Sequence, residues 1–192
     1  VAETVKAGAE YLVAVNASPY RMGVKEERHS LAIEHAKTHR IGLTYVNQVG
    51  YNDSVGFDGN SFAVNPNGEI IFHAPMFREH LEIFDTKALP VPNIAWEAEW
   101  QDEVNCALTV GINDYFNKNG ITGPAIVCNS GGIDSALVLY YATRAKGAAN
   151  VISIAMPSEF SSDHSLSDAA QLAKGLGVYH VVIPIAVIHE AY

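Results

Sequence analysis

A pair of glycines between an apolar run and a helix-like segment constrains the fold of this chain more than any other feature. Residues 124–128 predict a buried strand, and residues 136–146 predict a helix that ends at Gly147. The hexapeptide Ser-Gly-Gly-Ile-Asp-Ser lies between them, at 130–135. A strand that turns through glycines into a helix presents backbone N–H groups at the positive end of the helix dipole. The sequence therefore predicts an anion site at this turn.

The side chains of this turn suit a phosphate ligand. Gly131 and Gly132 allow the backbone to approach a phosphate closely, and Ser130 and Ser135 add hydroxyl donors. Asp134 supplies a hard carboxylate oxygen of the kind that binds Mg²⁺. The spacing matches neither G-x-x-x-x-G-K-[ST] nor G-x-G-x-x-G. An ordinary glycine-rich turn without a ligand is the structural alternative.

The composition is that of a globular protein with enough apolar residues for a core. The 192 residues are 48% hydrophobic and 17% charged, which allows one large domain or two smaller ones. The net charge of −9 argues against nucleic-acid and anionic-membrane partners, and no apolar run is long enough to span a membrane. Cys106 and Cys128 lie in apolar surroundings. We expect two buried, reduced thiols in an intracellular protein, with a disulfide between them as the alternative.

The first 90 residues alternate between helical and strand patterns and are expected to form one domain. The predicted elements are helices at 2–9 and 25–40 and strands at 11–15, 43–47, 61–64, 69–72 and 81–85. Pro66 and Gly68 lie between two of these strands and predict a hairpin. Two prolines between residues 87 and 93 mark a domain boundary. An amphipathic helix is predicted after them, within a connecting segment at 91–120.

Residues 121–192 predict the alternation β-α-β-α-β of a second domain. Its strands, at 124–128, 151–156 and 178–183, are nearly continuous apolar runs, which is typical of a parallel sheet covered on both faces. A helix is predicted at 165–175, with a capping box at its start. Ligands collect at the carboxyl ends of parallel strands, so the glycine turn and the serine-rich loop 157–164 are expected at one edge. That loop either closes over a nucleotide or is a solvated connector.

Two further segments give the hexapeptide a family context. The hexapeptide resembles the pyrophosphate loop of N-type ATP pyrophosphatases, and residues 156–169 resemble the segment after the second strand in NAD⁺ synthetases. Residues 16–19, 45–50 and 57–59 are similar to the second half of the nitrilase-type glutaminase domain that is fused to those enzymes. The chain is identified as an internal piece of a member of the glutamine-dependent NAD⁺ synthetase family.

The resemblance implies an α/β fold made of two parts in a fixed order. Residues 1–90 would be the C-terminal half of a nitrilase-like α-β-β-α sandwich. Residues 121–192 would be the first β-α-β-α-β of a Rossmann-like, parallel-sheet adenine nucleotide alpha hydrolase domain, and residues 91–120 would join the two.

The resemblance also implies the activity and its binding residues. ATP adenylates deamido-NAD, and ammonia from glutamine displaces AMP to give NAD⁺, with Mg²⁺ as the metal, in a cytoplasmic homo-oligomer. Ser18 and Lys25 would contact glutamine, with a loop-capping hydroxyl as the alternative for Ser18, and Asp134 would hold the metal. The implied ATP-binding residues are Ser130, Gly131, Gly132, Ile133, Asp134, Ser135 and Met156.

Some residues depart from the family pattern or lie outside this chain. The catalytic Glu, Lys and Cys of the glutaminase would precede Val1, so the chain alone is expected to be inactive. Val24 stands where the family has a basic residue, and Lys25 follows it. Cys128 and Asn129 replace a usual Gly-Leu, which is expected to alter strand packing more than phosphate contact.

Two other functions stay open from the sequence. One is a different amidotransferase-type ATP pyrophosphatase, similar to GMP synthetase, which only residues 156–169 separate from an NAD⁺ synthetase. The other is a nucleotide-binding remnant without turnover.

Overall fold

The computed structural model describes residues 1–87 and 99–185, which form two compact units divided between Ala107 and Leu108. The expected boundary at 87–93 lies mostly outside the described residues, as does Trp96 of the predicted amphipathic stripe. The predicted helix itself is present from Trp100 to Lys118. The three-part division at 1–90, 91–120 and 121–192 stays a prediction. No helix in the described ranges is long and apolar enough to cross a bilayer.

The first unit is built around a mixed four-stranded sheet. Its elements are α1 (Ala2–Lys6), β1 (Tyr11–Asn16), α2 (Val24–His39), β2 (Gly42–Asn47), β3 (Val49–Asn52), β4 (Val55–Asp58), β5 (Phe62–Val64) and β6 (Ile70–His73). The sheet has the order β1-β2-β5-β6, with β1 and β2 parallel and the other neighbours antiparallel. Strands β3 and β4 form a separate antiparallel hairpin. The predicted turn between β5 and β6 is confirmed.

One face of this sheet is covered by α2. The core residues are Ala32, Ala36, Leu43, Phe62 and Val64. The opposite face is uncovered along β1, where Val13 is 65% and Val15 is 78% exposed. Alternation along a strand places every second side chain on this open face, which is therefore apolar without being packed.

The strand predicted at 81–85 is wrong. These residues pair with no strand, and Leu81 and Ile83 are 94% and 96% exposed. The segment is held instead by a stack of Phe84 on Phe72, with ring centroids 4.8 Å apart. Alternating apolar residues satisfy the strand pattern, but a strand also needs a neighbour for its backbone hydrogen bonds.

The hairpin of β3 and β4 was not predicted from the sequence. Each strand has only four residues and contains a glycine, which lowers strand propensity. Gly56 lets the ring of Tyr51 lie across the hairpin, because a Cβ at this position would displace that ring. Asp53 takes the left-handed conformation, with φ of 51°, in the turn that joins the two strands.

The second unit has the predicted β-α-β-α-β order. The long helix that crosses the division is α3 (Trp100–Lys118), followed by β7 (Ala125–Cys128), α4 (Ile133–Lys146), β8 (Val151–Ala155), α5 (Asp163–Leu176) and β9 (Tyr179–Val182). The three strands are parallel and lie in the order β7-β8-β9.

The expectation that both faces of this sheet are covered is wrong for the described residues. The core lies on one face and consists of Ala125, Val127, Leu139, Ala142, Val151, Ala173 and Val178. On the other face Ile126 is 62% exposed and Tyr179 is 69% exposed. Because strand order follows chain order, right-handed crossovers place α4 and α5 on the same side of the sheet.

The same geometry corrects the prediction of two buried thiols. Cys128 lies on the uncovered face and is exposed, while Cys106 on α3 is half-buried. Neither Cys106 nor Cys128 forms a disulfide, so that alternative is also wrong.

The capping box predicted at 165–168 is wrong as well. Helix α5 begins three residues earlier, where the Ser162 Oγ accepts a hydrogen bond from the N–H of Ser165 at 3.2 Å. The serine-rich sequence offers the same cap spacing twice, and the earlier position gives the longer helix.

Candidate functional site

The glycine turn follows the carboxyl end of β7 and is open to solvent, as the sequence predicts. Ser130, Gly132, Ile133 and Asp134 are all exposed, and Ile133 is 72% exposed. The neighbouring strand β8 ends beside it, because the N–H of Asn129 donates to the carbonyl of Ile154 at 2.8 Å.

The two glycines of the turn have different structural roles. Gly131 has φ of +83°, and a Cβ there would overlap the backbone carbonyl of Ser165 in the first turn of α5. Gly132 has φ of −82°, and its Cβ would meet only the Ser130 Oγ, at 3.6 Å. Only Gly131 is therefore required by backbone conformation and by close packing.

The two serines of the turn bind the loop itself. The Ser135 Oγ accepts from the N–H of Ser130 at 3.1 Å and lies 2.9 Å from the carbonyl oxygen of Gly132. The Ser130 Oγ lies 3.1 Å from the Ser135 Oγ and accepts from the N–H of Gly132 at 3.4 Å. These bonds hold the turn in shape without a ligand. The phosphate-binding roles of both hydroxyls stay predictions.

Asn129 is the residue of this site that the sequence reasoning undervalued. It is 1% exposed, and its Oδ1 accepts from the N–H of Gly131 at 3.1 Å and lies 3.2 Å from the Ser135 Oγ. The expectation that this position concerns strand packing is therefore incomplete, because the amide contacts the loop directly. A polar side chain directly after an apolar strand was the signal that could have identified it.

The start of α4 is the part of the turn that is most open to an anion. Gly132 is its N-cap, and no side chain caps the helix there. The N–H groups of a first helical turn have no partner within the helix, and together with the helix dipole they favour a negative ligand. This is the geometry from which the sequence predicted an anion site.

Asp134 lies in the first turn of α4 with an exposed carboxylate. No group of three His, Cys, Asp or Glu residues in the described ranges could enclose a metal ion. A single carboxylate nevertheless fits Mg²⁺, which keeps several waters and takes most of its protein ligands from one or two carboxylates and from substrate phosphates.

Met156 and the serine-rich loop lie at the same edge of the sheet as the glycine turn. Met156 follows β8 directly and is 44% exposed. In the loop, the N–H of Ser158 donates to the Ser161 Oγ at 3.0 Å, and Phe160 is 78% exposed. As predicted, the two loops follow the carboxyl ends of the neighbouring parallel strands β7 and β8, and Gly131 packs against Ser165, the residue after the second loop.

In the first unit, Ser18 belongs to a buried polar cluster. The Arg28 guanidinium donates to the Ser18 Oγ at 3.0 and 3.2 Å and to Asp58 at 2.7 and 2.9 Å. The side chain of Asn47 accepts from the N–H of Ser18 at 2.8 Å and donates to its carbonyl oxygen at 3.1 Å. The Ser18 hydroxyl thus accepts from Arg28, and both its contact with glutamine and its loop-capping alternative stay predictions.

The ion pair of Arg28 and Asp58 is the strongest electrostatic feature of this cluster. The side chains are 7% and 0% exposed. Burial raises the pKa of Asp58 above its usual value, although the hydrogen bonds and charge of Arg28 act in the opposite direction. The pair therefore needs both partners to be stable in the interior.

Lys25 is paired with two carboxylates. Its Nζ lies 2.9 Å from Glu103 and 3.5 Å from Glu26. Burial lowers the pKa of Lys25, but these carboxylates outweigh burial and the pKa is raised. A cavity of about 440 Å³ beside Ser18 is lined by Tyr20 and Arg28 among others, and not by Lys25. The structure thus does not bring the two predicted glutamine contacts to one cavity.

Comparison with known proteins first defines the class of the second unit. Residues 104–192 match the NAD synthase family model. The parallel sheet, the glycine turn and the helix start described above lie within this match.

The comparison of the whole chain is more specific. It is 42% identical, over 99% of its length, to the glutamine-dependent NAD⁺ synthetase of Synechocystis sp., of which it covers 35%. The solved glutamine-dependent NAD⁺ synthetase of Acinetobacter baumannii, in complex with ADP, has a TM-score of 0.91 and 36% identity over 99% of this chain and 37% of that chain. The enzyme of Cytophaga hutchinsonii shows the same fold, with a TM-score of 0.80 and 16% identity over 97% of this chain and 38% of its own. The chain is thus similar over 99% of its length to glutamine-dependent NAD⁺ synthetases and spans about a third of the length of these relatives.

Proposed function

We propose that the whole protein is a glutamine-dependent NAD⁺ synthetase. ATP adenylates the nicotinate carboxylate of deamido-NAD, and ammonia from glutamine displaces AMP to give NAD⁺, AMP and pyrophosphate. The observation that carries this proposal is the open N-terminus of α4 behind Gly131, in a chain that aligns over 99% of its length with a relative solved in complex with ADP.

The glycine turn is the proposed phosphate site. The free N–H groups at the start of α4, with Gly131 and Gly132, bind the β and γ phosphates, whose negative charge grows as pyrophosphate leaves. Donors that are fixed before the reaction stabilise this charge without reorganisation. Ser130 and Ser135 already fix the loop, and their hydroxyls would add donors to the same oxygens.

Asp134 is the proposed ligand of Mg²⁺. When bound, the metal neutralises phosphate charge and orients the leaving group. Asp134 would have a second effect, because its carboxylate beside the phosphate site would repel ATP that carries no Mg²⁺. The residue therefore favours the magnesium complex of ATP over free ATP.

Met156 is the proposed contact of the adenine ring. It is half-exposed at the carboxyl end of β8, beside the turn that binds the phosphates, and a thioether packs well on an aromatic ring. The exposed loop 157–162 would then close over the nucleotide.

The first unit is proposed to be the second half of a nitrilase-like glutaminase. Ser18 would contact glutamine with the hydroxyl proton that Arg28 leaves free, and Lys25 would act only if its bond to Glu103 opens. The nitrilase-like and Rossmann-like division, the cytoplasmic location and the homo-oligomer belong to the same proposal. The relatives named above are all NAD⁺ synthetases, so none of them favours a GMP synthetase-like acceptor.

The experiment that tests the function is an acceptor assay on the whole protein. It is incubated with Mg-ATP and ammonia or glutamine, together with either deamido-NAD or XMP, and NAD⁺, GMP and AMP are separated by chromatography. We expect NAD⁺ and AMP with deamido-NAD and no product with XMP. Formation of GMP would replace this function by the second acceptor, and ATP binding without any product would identify a nucleotide-binding remnant.

A further inference from the structure

Asn129 has the most unusual environment of the polar residues near the glycine turn. Its side chain is an amide with two donors and a strong acceptor, and the residue is only 1% exposed. A buried amide is stable only when its donors and acceptor are satisfied. The partners of Asn129 come from three different elements, namely the glycine turn, β8 and α5.

The acceptor side of the amide faces the glycine turn. Asn129 Oδ1 accepts from the N–H of Gly131 at 3.1 Å and lies 3.2 Å from the Ser135 Oγ. Both partners are half-buried. Ser130, Gly132 and Asp134 lie on the exposed side of the same turn. The amide oxygen therefore fixes which groups of the turn point inward and which face a ligand.

The donor side of the amide anchors it to the rest of the unit. Asn129 Nδ2 lies 3.4 Å from the Ser153 Oγ on β8 and 3.3 Å from the carbonyl oxygen of Ala169 on α5. Ser153 is fully buried and lies 3.0 Å from His180 Nδ1 on β9. A row of polar side chains thus runs beneath the turn across all three strands, and Asn129 is the member that touches the turn.

We propose that Asn129 is a positioning residue for nucleotide phosphates. It holds Gly131 and Ser135 inward so that the turn keeps its bound shape before ATP arrives, which leaves the N–H groups at the start of α4 facing the phosphates. A ligand that binds a preformed turn loses no free energy in ordering it. The inference rests on the proposed ATP site and concerns a residue that does not touch the substrate.

The test compares Asn129→Leu with wild type in the whole protein. Leucine has a similar size and no polar atom, so it removes both bonds to the turn while filling the same space. The N–H of Gly131 loses its acceptor in this variant, so we expect the Kd of Mg-ATP and of inorganic pyrophosphate, by calorimetry, to rise about 10-fold. The Kd of adenosine, which has no phosphate, is expected to stay unchanged, and the KM of ATP to rise without a change in the KM of deamido-NAD.

Two further variants keep the test decisive. Ser153→Ala removes one anchor of the amide without touching the turn, and we expect a smaller rise in the Kd of pyrophosphate. Asn150→Leu is the matched control, because Asn150 is exposed and its amide binds the Lys146 carbonyl at the opposite end of α4. Its Kd values should equal those of wild type.

The inference is overturned if Asn129→Leu binds pyrophosphate as tightly as wild type, or if adenosine binding falls by the same factor, since that would indicate general loosening of the unit. If Asn129→Leu does not fold, an unchanged Kd in Ser153→Ala overturns it. Failure of the proposed function gives a different result, because the wild-type protein itself would then bind neither ATP nor pyrophosphate.

Discussion

At the scale of single residues, contacts made in the interior of each unit set the shape of the loops at the surface. Gly131 is fixed by its φ of +83° and by the Ser165 carbonyl, whereas Gly132 takes an ordinary extended conformation. Arg28 serves as the common donor for Ser18 and Asp58. Each of these residues shapes a loop that a ligand would meet.

Asp134→Asn is expected to reduce NAD⁺ formation from ammonia about 100-fold in the whole protein, because the amide is a poor ligand for Mg²⁺. Glutamine hydrolysis should continue, since Asp134 lies in the second unit. The measurement is NAD⁺ and glutamate production in parallel. Asp102→Asn is the control, because Asp102 is also an acidic residue in a first helical turn and loses the same interaction with a helix dipole. Equal NAD⁺ formation in both variants would refute the metal role of Asp134.

Asp58→Asn is expected to destabilise the protein by about 3–5 kcal/mol, because it leaves the buried Arg28 charge without its partner. The measurement is the free energy of unfolding from denaturant titration. Glu27→Gln is the matched control, since it breaks the exposed pair of Arg21 and Glu27, which is expected to contribute far less because solvent screens it. A similar loss in the two variants would show that burial does not decide the strength of these pairs.

At the scale of elements, ring contacts join α2 to the sheet of the first unit. The His29 ring on α2 lies 4.4 Å from the Phe62 ring on β5 and 5.5 Å from the His73 ring on β6. Burial, with the nearby charges of His73 and Lys25, lowers the pKa of His29 to about 4. A protonated imidazole is therefore unfavourable at this junction.

The stability of the first unit is expected to fall as the pH is lowered from about 6.5 to about 4. In this window unfolded His29 binds a proton and folded His29 does not, so protons favour the unfolded state by roughly 1.4 kcal/mol for each unit of pKa difference. Chemical denaturation at a series of pH values measures this slope. His29→Gln should flatten it, while His35→Gln should not, because His35 stacks on His39 on the same helix. The pKa of His73 is also lowered by burial, so a part of the slope should remain, and an unchanged slope in His29→Gln would assign the effect to other groups.

At the scale of the molecule, each unit leaves one apolar sheet face open in the described residues. Val13 and Val15 mark this face in the first unit, and Ile126 and Tyr179 mark it in the second. Exposed apolar surfaces of this kind are costly in water and are usually covered in an intact protein. The chain also spans only about a third of the length of its relatives.

The 192-residue chain by itself is expected to form no NAD⁺ from deamido-NAD, Mg-ATP and ammonia, and to bind Mg-ATP weakly. The reason is that the chain matches only about a third of the length of its relatives. The measurement is NAD⁺ production by the chain and by the whole protein at equal molar concentration, together with calorimetry. Turnover by the chain at a rate similar to that of the whole protein would contradict this expectation.

The sequence by itself determined the α/β class, the order of most elements and the position of the glycine turn. These features depend on local patterns, namely apolar periodicity, glycines with a special conformation and helix ends, which are encoded within a few residues of one another. The helix of residues 133–146 and the strands on either side follow directly from such patterns.

Only the tertiary structure decided which side chains meet. Residues 81–85 have a strand pattern but lack a partner, and Cys128 is exposed because both crossover helices lie on the other side of its sheet. The sequence predicted a packing role for Asn129, whereas in the structure its amide contacts Gly131, Ser153 and the carbonyl of Ala169. Contacts between residues 24 or 40 positions apart depend on how elements pack, and no local pattern records that packing.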